Sequence, residues 1–313
     1  MTRAIVTGSE GFIGGHLTDR LLKLGIEVLG IDDMSSGDYS TRDLHLTKHN
    51  FRSEQVDITS SSVPGIFREF RPECVFHLAA KPGVTPSVVR PTFSDLNNIN
   101  GTVNLLESAK DSGVKRFVFS SSSSIYGGST DLPTKESLPP NPKSPYALQK
   151  LTGERYCKLF SELYDLDTVS LRYFNVFGPR QRADSAYAAV IAAFCAAEKN
   201  KKAPTIYGGG EQFRDFCYVQ NVVDANIRAS LLREEPLGGA VLNIGCGGRI
   251  TVNDLCSKIC SIDPVYEAER AGDVFCSQAD ISLAKKYLGY QATHSFDDGI
   301  RETMKWHLEF AAV

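Results

Sequence analysis

Two residues in the stretch "SPYALQK", Tyr146 and Lys150, carry side chains that can hold and move a proton. Ser144 suits a helix N-cap and Pro145 the first helical position, so Tyr146 falls in the first turn with Lys150 one turn above it. A free tyrosine titrates near pH ~10, leaving about one in a thousand ionised at neutrality. A neighbouring ammonium lowers such a pKa by roughly 1–3 units, and a helix N-terminus acts in the same direction. The spacing therefore predicts a phenol acidified by Lys150 and usable as a general acid and base. Against this stands the plainer reading of a buried phenol beside a solvated ammonium, because Tyr-x-x-x-Lys is common by chance. Five serines, Ser120 to Ser124 in "FVFSSSSSIYGG", strengthen the chemical reading. They end a predicted strand at the carboxyl edge, where parallel sheets hold ligands.

The elements needed to place these residues are legible upstream. "RAIVT", "EVLGID", "ECVFHLAA" and "KRFVFSSSSS" alternate with helical patterns such as "GFIGGHLTDRLLKLG" and "FSDLNNINGTVNLLESAKDSG". Strand and helix in strict turn predict a doubly wound, parallel-sheet α/β Rossmann domain. Ile13, Leu17, Leu21 and Leu24 recur at helical spacing and are expected to face the sheet, with His16 pointing away. After "DTVSLRYFNV" the glycine and proline content rises, between short helical runs such as "QNVVDANIRASLLR" and "TVNDLCSKIC". This predicts a smaller mixed α/β lobe formed by about 175–214 and 246–313, beside a dinucleotide domain of 1–174 plus about 215–245.

"IVTGSEGFIGG" joins the first strand to the first helix with glycines at 8, 11 and 14. Gly8, Gly11 and Gly14 permit a tight turn and close approach of a pyrophosphate to the helix N-terminus. Asp32 closes the second strand at the distance expected for a ribose hydroxyl, although Asp33 could exchange roles with it. A carboxylate there repels a 2′-phosphate, which favours NAD over NADP. Asp57 in "EQVDIT" is expected to end the third strand and meet the adenine amine.

The 313-residue chain has a net charge of -3, which gives no reason to expect nucleic acid or an anionic membrane as the main partner. No apolar run is long enough to span a bilayer, and no secretory leader is evident. The eight cysteines lie scattered in apolar contexts, as expected of reduced thiols in a cytoplasm. Cys256 and Cys260 are one turn apart, but nothing nearby completes a metal site.

"TGSEGFIGG", "HLAA", "NNINGTVNLLESAK", "FSSSSSIYGG", "SPYALQK", "LRYFNVFGPRQ", "FRDFCYVQNVVDA" and "RAGDVFCSQADISLAKKYLGY" follow one another along nearly the whole chain. The ordered set resembles the extended short-chain dehydrogenase/reductase family, in particular its nucleotide-sugar 4-epimerases. The resemblance implies that Tyr146 takes the proton of a sugar 4-hydroxyl while C4 passes a hydride to NAD, and that Ser122 bridges hydroxyl and phenol. Lys150 would bind the nicotinamide ribose, and the hydride would return to the other face of the keto sugar. It further implies cofactor contacts from Phe12, Ile13, Ile58, Leu78, Ala79, Ala80, Asn98 and Phe174. Substrate contacts would come from Gly83, Ser123, Ser124, Asn175, Gln181, Val190, Tyr207, Arg214, Arg270, Asp273 and Ser277. Arg214 and Arg270 suit a pyrophosphate, since guanidinium groups bind such oxygens bidentately.

Dehydratases of the family carry an acidic pair where this chain has Ser123 and Ser124, so epimerisation is expected. Ser277 aligns with the position flanking the sugar's C2 substituent. A tyrosine there resembles enzymes confined to plain hexoses, whereas serine leaves room for an acetamido group. UDP-GlcNAc/UDP-GalNAc interconversion is therefore expected, together with UDP-Glc/UDP-Gal. The alternatives are a UDP-glucuronate 4-epimerase and, from another class, a non-catalytic NAD-binding sensor. By analogy with relatives, helices near 93–112 and 146–164 would form a homodimer.

Overall fold

In the computed structural model, residues 1–182, 190–232, 235–269 and 275–309 are described. Seven strands form one sheet: β1 (Arg3–Thr7), β2 (Glu27–Asp32), β3 (Phe51–Gln55), β4 (Cys74–His77), β5 (Arg116–Ser122), β6 (Asp167–Tyr173) and β7 (Ala240–Ile244). Their spatial order is β7-β6-β5-β4-β1-β2-β3, and every pairing is parallel. The order reverses at β1, which opens a crevice at its carboxyl end.

Alternation along the strands feeds two cores. Ala4, Val6, Val28, Phe76 and Val118 pack on one face with Leu17, Leu21, Val222 and Val223. These come from helices α1 (Phe12–Lys23) and α5 (Val219–Ser230), counted with α2 (Tyr39–Leu46), α3 (Thr102–Asp111) and α4 (Pro145–Tyr164) between them. Ile5, Leu29, Ile31, Phe117 and Phe119 supply the opposite face, against Leu105 and Leu106 of α3 and Cys157 of α4. Burial on both faces is what makes these strands continuously apolar.

Leu24 departs from the predicted stripe. The helix stops at Lys23, and Leu24 lies beyond it, exposed. His16 does not point away. It is buried, its Nε2 lies 2.9 Å from the Pro179 carbonyl oxygen, and its ring meets Phe12 edge-on. Burial brings its pKa down to about 4, so the imidazole is neutral and ties α1 to the 179–182 segment.

A third apolar cluster unites Phe177, Phe194, Ile206, Phe216, Leu255 and Ile300 beyond the sheet. Two-residue strand pairs frame it, Val176–Phe177 with Cys217–Tyr218 and Phe213–Arg214 with Ile250–Thr251. Among the described residues no helix is long and apolar enough to cross a membrane.

Candidate active site

Helix α4 starts as its sequence predicts. Ser144 Oγ accepts a hydrogen bond from the Ala147 amide at 3.2 Å, and Pro145 occupies the first turn. Gly153, two turns on, lets the helix lie against β5: a Cβ there would come within 2.4 Å of the Phe119 ring. That close approach carries the Lys150 ammonium to the Ser120 carbonyl, to which it donates at 2.7 Å. Lys150 is 4% exposed, and its Nζ sits 5.9 Å from the centre of the Tyr146 ring. Burial brings its pKa down to about 8, the nearby Glu154 acting the other way.

The phenol is not acidified as its spacing predicts. Burial pushes Tyr146 up to about 12, countered only by its hydrogen bond with Ser122. The helix does bring the two side chains together, but desolvation penalises the charged forms of both residues. Ser122 Oγ also accepts from the Ser124 amide at 3.2 Å and from Ser124 Oγ at 2.9 Å. The Tyr146 amide in turn donates to Ser87 Oγ at 3.1 Å.

A cavity of about 1130 Å³ runs from Tyr146 and Lys150 across the end of β1; Ser122 is not on its wall and meets the site through its hydrogen bond with Tyr146. Its wall includes Gly8, Gly11, Phe12, Ile13, Gly14, Asp32, Ile58, Leu78, Ala79 and Ala80, together with Tyr146, Lys150 and Gln181. The glycine turn is as tight as the sequence requires. Gly8 has φ +70°, and a Cβ on Gly14 would lie 1.9 Å from the Gly8 carbonyl oxygen. No side chain caps α1 at Gly11, so its first amides face the cavity free of side-chain partners. Asp32 accepts from the Glu10 amide at 3.1 Å and the Met34 amide at 2.9 Å, while burial raises its pKa. Its carboxylate fits a ribose diol and rejects a 2′-phosphate, and with the bare helix terminus it completes a cradle that fits NAD.

Three cofactor expectations do not reach this wall by side chain. Asp57 lies beyond β3, which ends at Gln55, and its carboxylate accepts from Thr59 and from Asn97 Nδ2 at 3.1 Å. Asn98 is buried and pins a loop: its Oδ1 accepts from the Lys81 amide at 2.8 Å, and its Nδ2 donates to the Lys81 carbonyl and to Gln149 Oε1. Phe174 is 1% exposed and packs against Tyr126, in a cluster with Ala279.

Ser123, Ser124, Gly83, Asn175, Val190, Tyr207, Arg214 and Ser277 are likewise off the wall of this cavity. Ser123 and Ser124 open the short turn after β5, and Gly83 (φ +103°) precedes a helical segment that contains Ser87. Asn175 Nδ2 donates to Ser277 Oγ at 2.9 Å, joining two predicted substrate residues 102 positions apart. Arg214 donates to the Phe275 carbonyl at 2.9 Å. Gln181 Nε2 donates to the Val176 carbonyl at 3.0 Å. Val190 begins a helix and Tyr207 ends a short strand. Arg270 and Asp273 lie outside the described residues.

Several wall residues escaped the sequence reading. The Ser35–Asp38 loop, Tyr39 to Thr41 at the start of α2, Lys81 and Arg180 all line the cavity. Lys81 directly follows "HLAA", so its neighbours carried a signal that its own type did not. Beneath the glycine turn, buried His45 lies between Asp19 (Nε2 to Oδ1, 2.9 Å) and Glu10 (Nδ1 to Oε2, 3.7 Å), and Arg180 bridges to Asp19 at 2.9 Å. Burial opposes protonation of His45, but the two carboxylates prevail and raise its pKa.

Comparison with known proteins agrees with this geometry. Residues 4–245 match the family described as the NAD dependent epimerase/dehydratase family. A UDP-glucose 4-epimerase of Mycolicibacterium smegmatis is 38% identical, over 97% of this chain and 98% of that protein. A UDP-glucuronate 4-epimerase of Thermodesulfobacterium geofontis is 36% identical, over 97% and 96%. Among solved structures, a UDP-N-acetylglucosamine 4-epimerase from Methanobrevibacter ruminantium, in complex with UDP-N-acetylmuramic acid, superposes with TM-score 0.92 at 39% identity, covering 97% of each chain. With a glycine turn that admits a pyrophosphate, a carboxylate placed for a ribose and a tyrosine and lysine in the same cleft, the chain belongs to the NAD-dependent epimerase/dehydratase family and takes NAD as its cofactor.

Proposed function

We propose that this NAD-dependent UDP-sugar 4-epimerase interconverts UDP-GlcNAc and UDP-GalNAc, and UDP-Glc and UDP-Gal as well. The observation that carries the choice of sugar is the Asn175–Ser277 hydrogen bond at 2.9 Å. It joins Ser277 to a second expected substrate residue, and so supports reading Ser277, a small residue, as the one beside the C2 substituent. Ser277→Tyr is expected to lower kcat/KM for the acetylated pair by about 100-fold and for the plain hexoses by less than about threefold. That span is what steric exclusion of one bulky group supplies. A coupled assay with both pairs tests it, and wild-type activity on plain hexoses alone would sink the assignment.

In this reading Tyr146 holds and returns the proton of the sugar 4-hydroxyl, and Ser122 Oγ orients that hydroxyl against the phenol. Lys150, anchored on the Ser120 carbonyl, supplies the fixed cation on the ribose side. NAD, when bound, supplies a reversible hydride acceptor. Residues 175–214 and 246–313 take the nucleotide sugar, with Arg214 and Arg270 on its diphosphate, and residues 1–174 with 215–245 take the cofactor.

We assign the working form as a cytoplasmic homodimer. The helices proposed to pair leave Phe93, Leu96, Leu148, Leu159 and Leu163 exposed by 42–60%, an apolar stripe of the kind that seeks a partner. Leu159→Lys combined with Leu163→Lys is expected to halve the mass seen by light scattering, and an unchanged dimer would remove this face from consideration.

A further inference from the structure

A second set of charges spans the cofactor cleft and takes no part in the chemistry above. Lys81 Nζ donates to Asp33 Oδ2 at 2.6 Å and also to Ser35 Oγ, whose hydroxyl donates to Asp33 Oδ1 at 2.6 Å. Asp33 immediately follows β2, and Lys81 lies in the loop after β4. The strand between those two is β1, and its carboxyl end carries the glycine turn. With one anchor after β2 and the other after β4, the bridge spans the carboxyl end of β1 from lip to lip. A dinucleotide running from Asp32 to Tyr146 and Lys150 shares its cavity with this bridge. Asp33, Ser35 and Lys81 line the same cavity as all of those residues.

The roots of the bridge are held and only its side chains are free to swing. Both backbone groups of Lys81 are hydrogen-bonded to Asn98, which is itself tied to Gln149 of helix α4. On the other lip the Ser35 amide donates to Asp33 Oδ1 at 2.9 Å. Burial alone would raise the Asp33 pKa, but the hydrogen bonds from Lys81 and Ser35 outweigh it and keep the carboxylate below its ordinary range. At 17% and 27% side-chain exposure, the pair is sheltered enough to persist and open enough to break.

We infer that the Lys81–Asp33 bridge is a strap that gates passage of the dinucleotide, setting how fast NAD enters and leaves rather than how tightly it is held. An epimerase restores its cofactor within each turnover, so nothing in the cycle requires exchange. A barrier common to entry and exit changes both rates equally and leaves the equilibrium untouched. A direct phosphate ligand behaves differently: losing it accelerates exit alone and weakens binding in proportion.

The two roles separate in one experiment on the intact holoenzyme. Bound NAD is chased with radiolabelled NAD, and entry is followed on enzyme stripped of cofactor, for the wild type, Lys81→Gln, Asp33→Asn and the exchanged pair Asp33→Lys with Lys81→Asp. The strap predicts that each single variant speeds entry and exit alike, by roughly tenfold, the worth of a partly sheltered charge-assisted hydrogen bond. The dissociation constant should stay within about threefold, and the exchanged pair should return towards wild-type rates. Raising the salt concentration should speed exchange in the wild type and leave Lys81→Gln unmoved. Faster exit alone in Lys81→Gln, with tighter binding in Asp33→Asn, would make Lys81 a phosphate ligand and overturn the strap. Unchanged rates in both single variants would overturn it equally. Circular dichroism on each variant confirms that the rates belong to folded protein.

Discussion

Replacing Tyr146 by phenylalanine is expected to lower kcat for every accepted sugar nucleotide by about 10³-fold, with KM within about twofold and the protein still carrying its NAD. Loss of a positioned acid and base typically costs 10²–10⁴-fold, and about 10³-fold corresponds to ~4 kcal/mol of barrier. The structure explains why no neighbour substitutes. Ser122 Oγ already accepts from two groups on Ser124, which leaves it a proton to donate and little basicity. Lys150 is committed to the Ser120 carbonyl. Its pKa of about 8 keeps it mostly cationic at neutrality, unable to accept a proton. The phenol's own pKa, pushed up to about 12, makes its anion a strong base once formed. Steady-state kinetics on both sugar pairs, with cofactor content measured by mass after denaturation, checks the prediction. Turnover within tenfold of wild type would remove Tyr146 from the chemistry.

Arg172→Met is expected to destabilise the protein by about 3–5 kcal/mol, the usual cost of leaving one member of a buried ion pair alone. For a domain of this size that is a fall in Tm of roughly 10 °C. Arg172 grips Glu154 with two hydrogen bonds, Nε to Oε1 at 2.8 Å and Nη2 to Oε2 at 2.7 Å. The two side chains are 4% and 3% exposed. Ser121 of β5 donates to the same carboxylate, and the guanidinium lies 4.7 Å from the centre of the Tyr126 ring. Glu154 stands one turn beyond Lys150 on α4, so this pair fastens the helix bearing Tyr146 to β6, while Ser121 ties the same carboxylate to β5, the strand bearing Ser122. The double variant Arg172→Met with Glu154→Met is expected to lose less than either single one, because no charge is then stranded. Thermal denaturation of the four proteins tests the cycle, and a double variant as unstable as the sum of the singles would show that packing, not charge, dominates.

What the chain makes legible without its fold is local and periodic. Glycines at 8, 11 and 14 between an apolar strand and an amphipathic helix imply the cofactor turn, because only those residues permit the backbone approach seen at Gly8 and Gly14. Ser144, Pro145, Tyr146 and Lys150 imply a capped helix with phenol and ammonium on one face, because the helical repeat sets which side chains are neighbours. Asp32 was readable from its distance along a strand–helix–strand unit.

The tertiary structure alone decided everything that depends on burial or on partners far away in the sequence. Spacing places Lys150 near Tyr146, yet the fold sends its ammonium to Ser120 on strand β5. Desolvation then raises the phenol's pKa where proximity predicted a fall. His16 reads as a polar residue on an exposed face until Pro179, 163 positions away, supplies the carbonyl that meets it. The Asp33–Lys81 strap and the Asn175–Ser277 contact are likewise invisible in the linear chain. Local geometry follows from a few adjacent torsion angles, whereas the dielectric around a charge is a property of the whole assembled core.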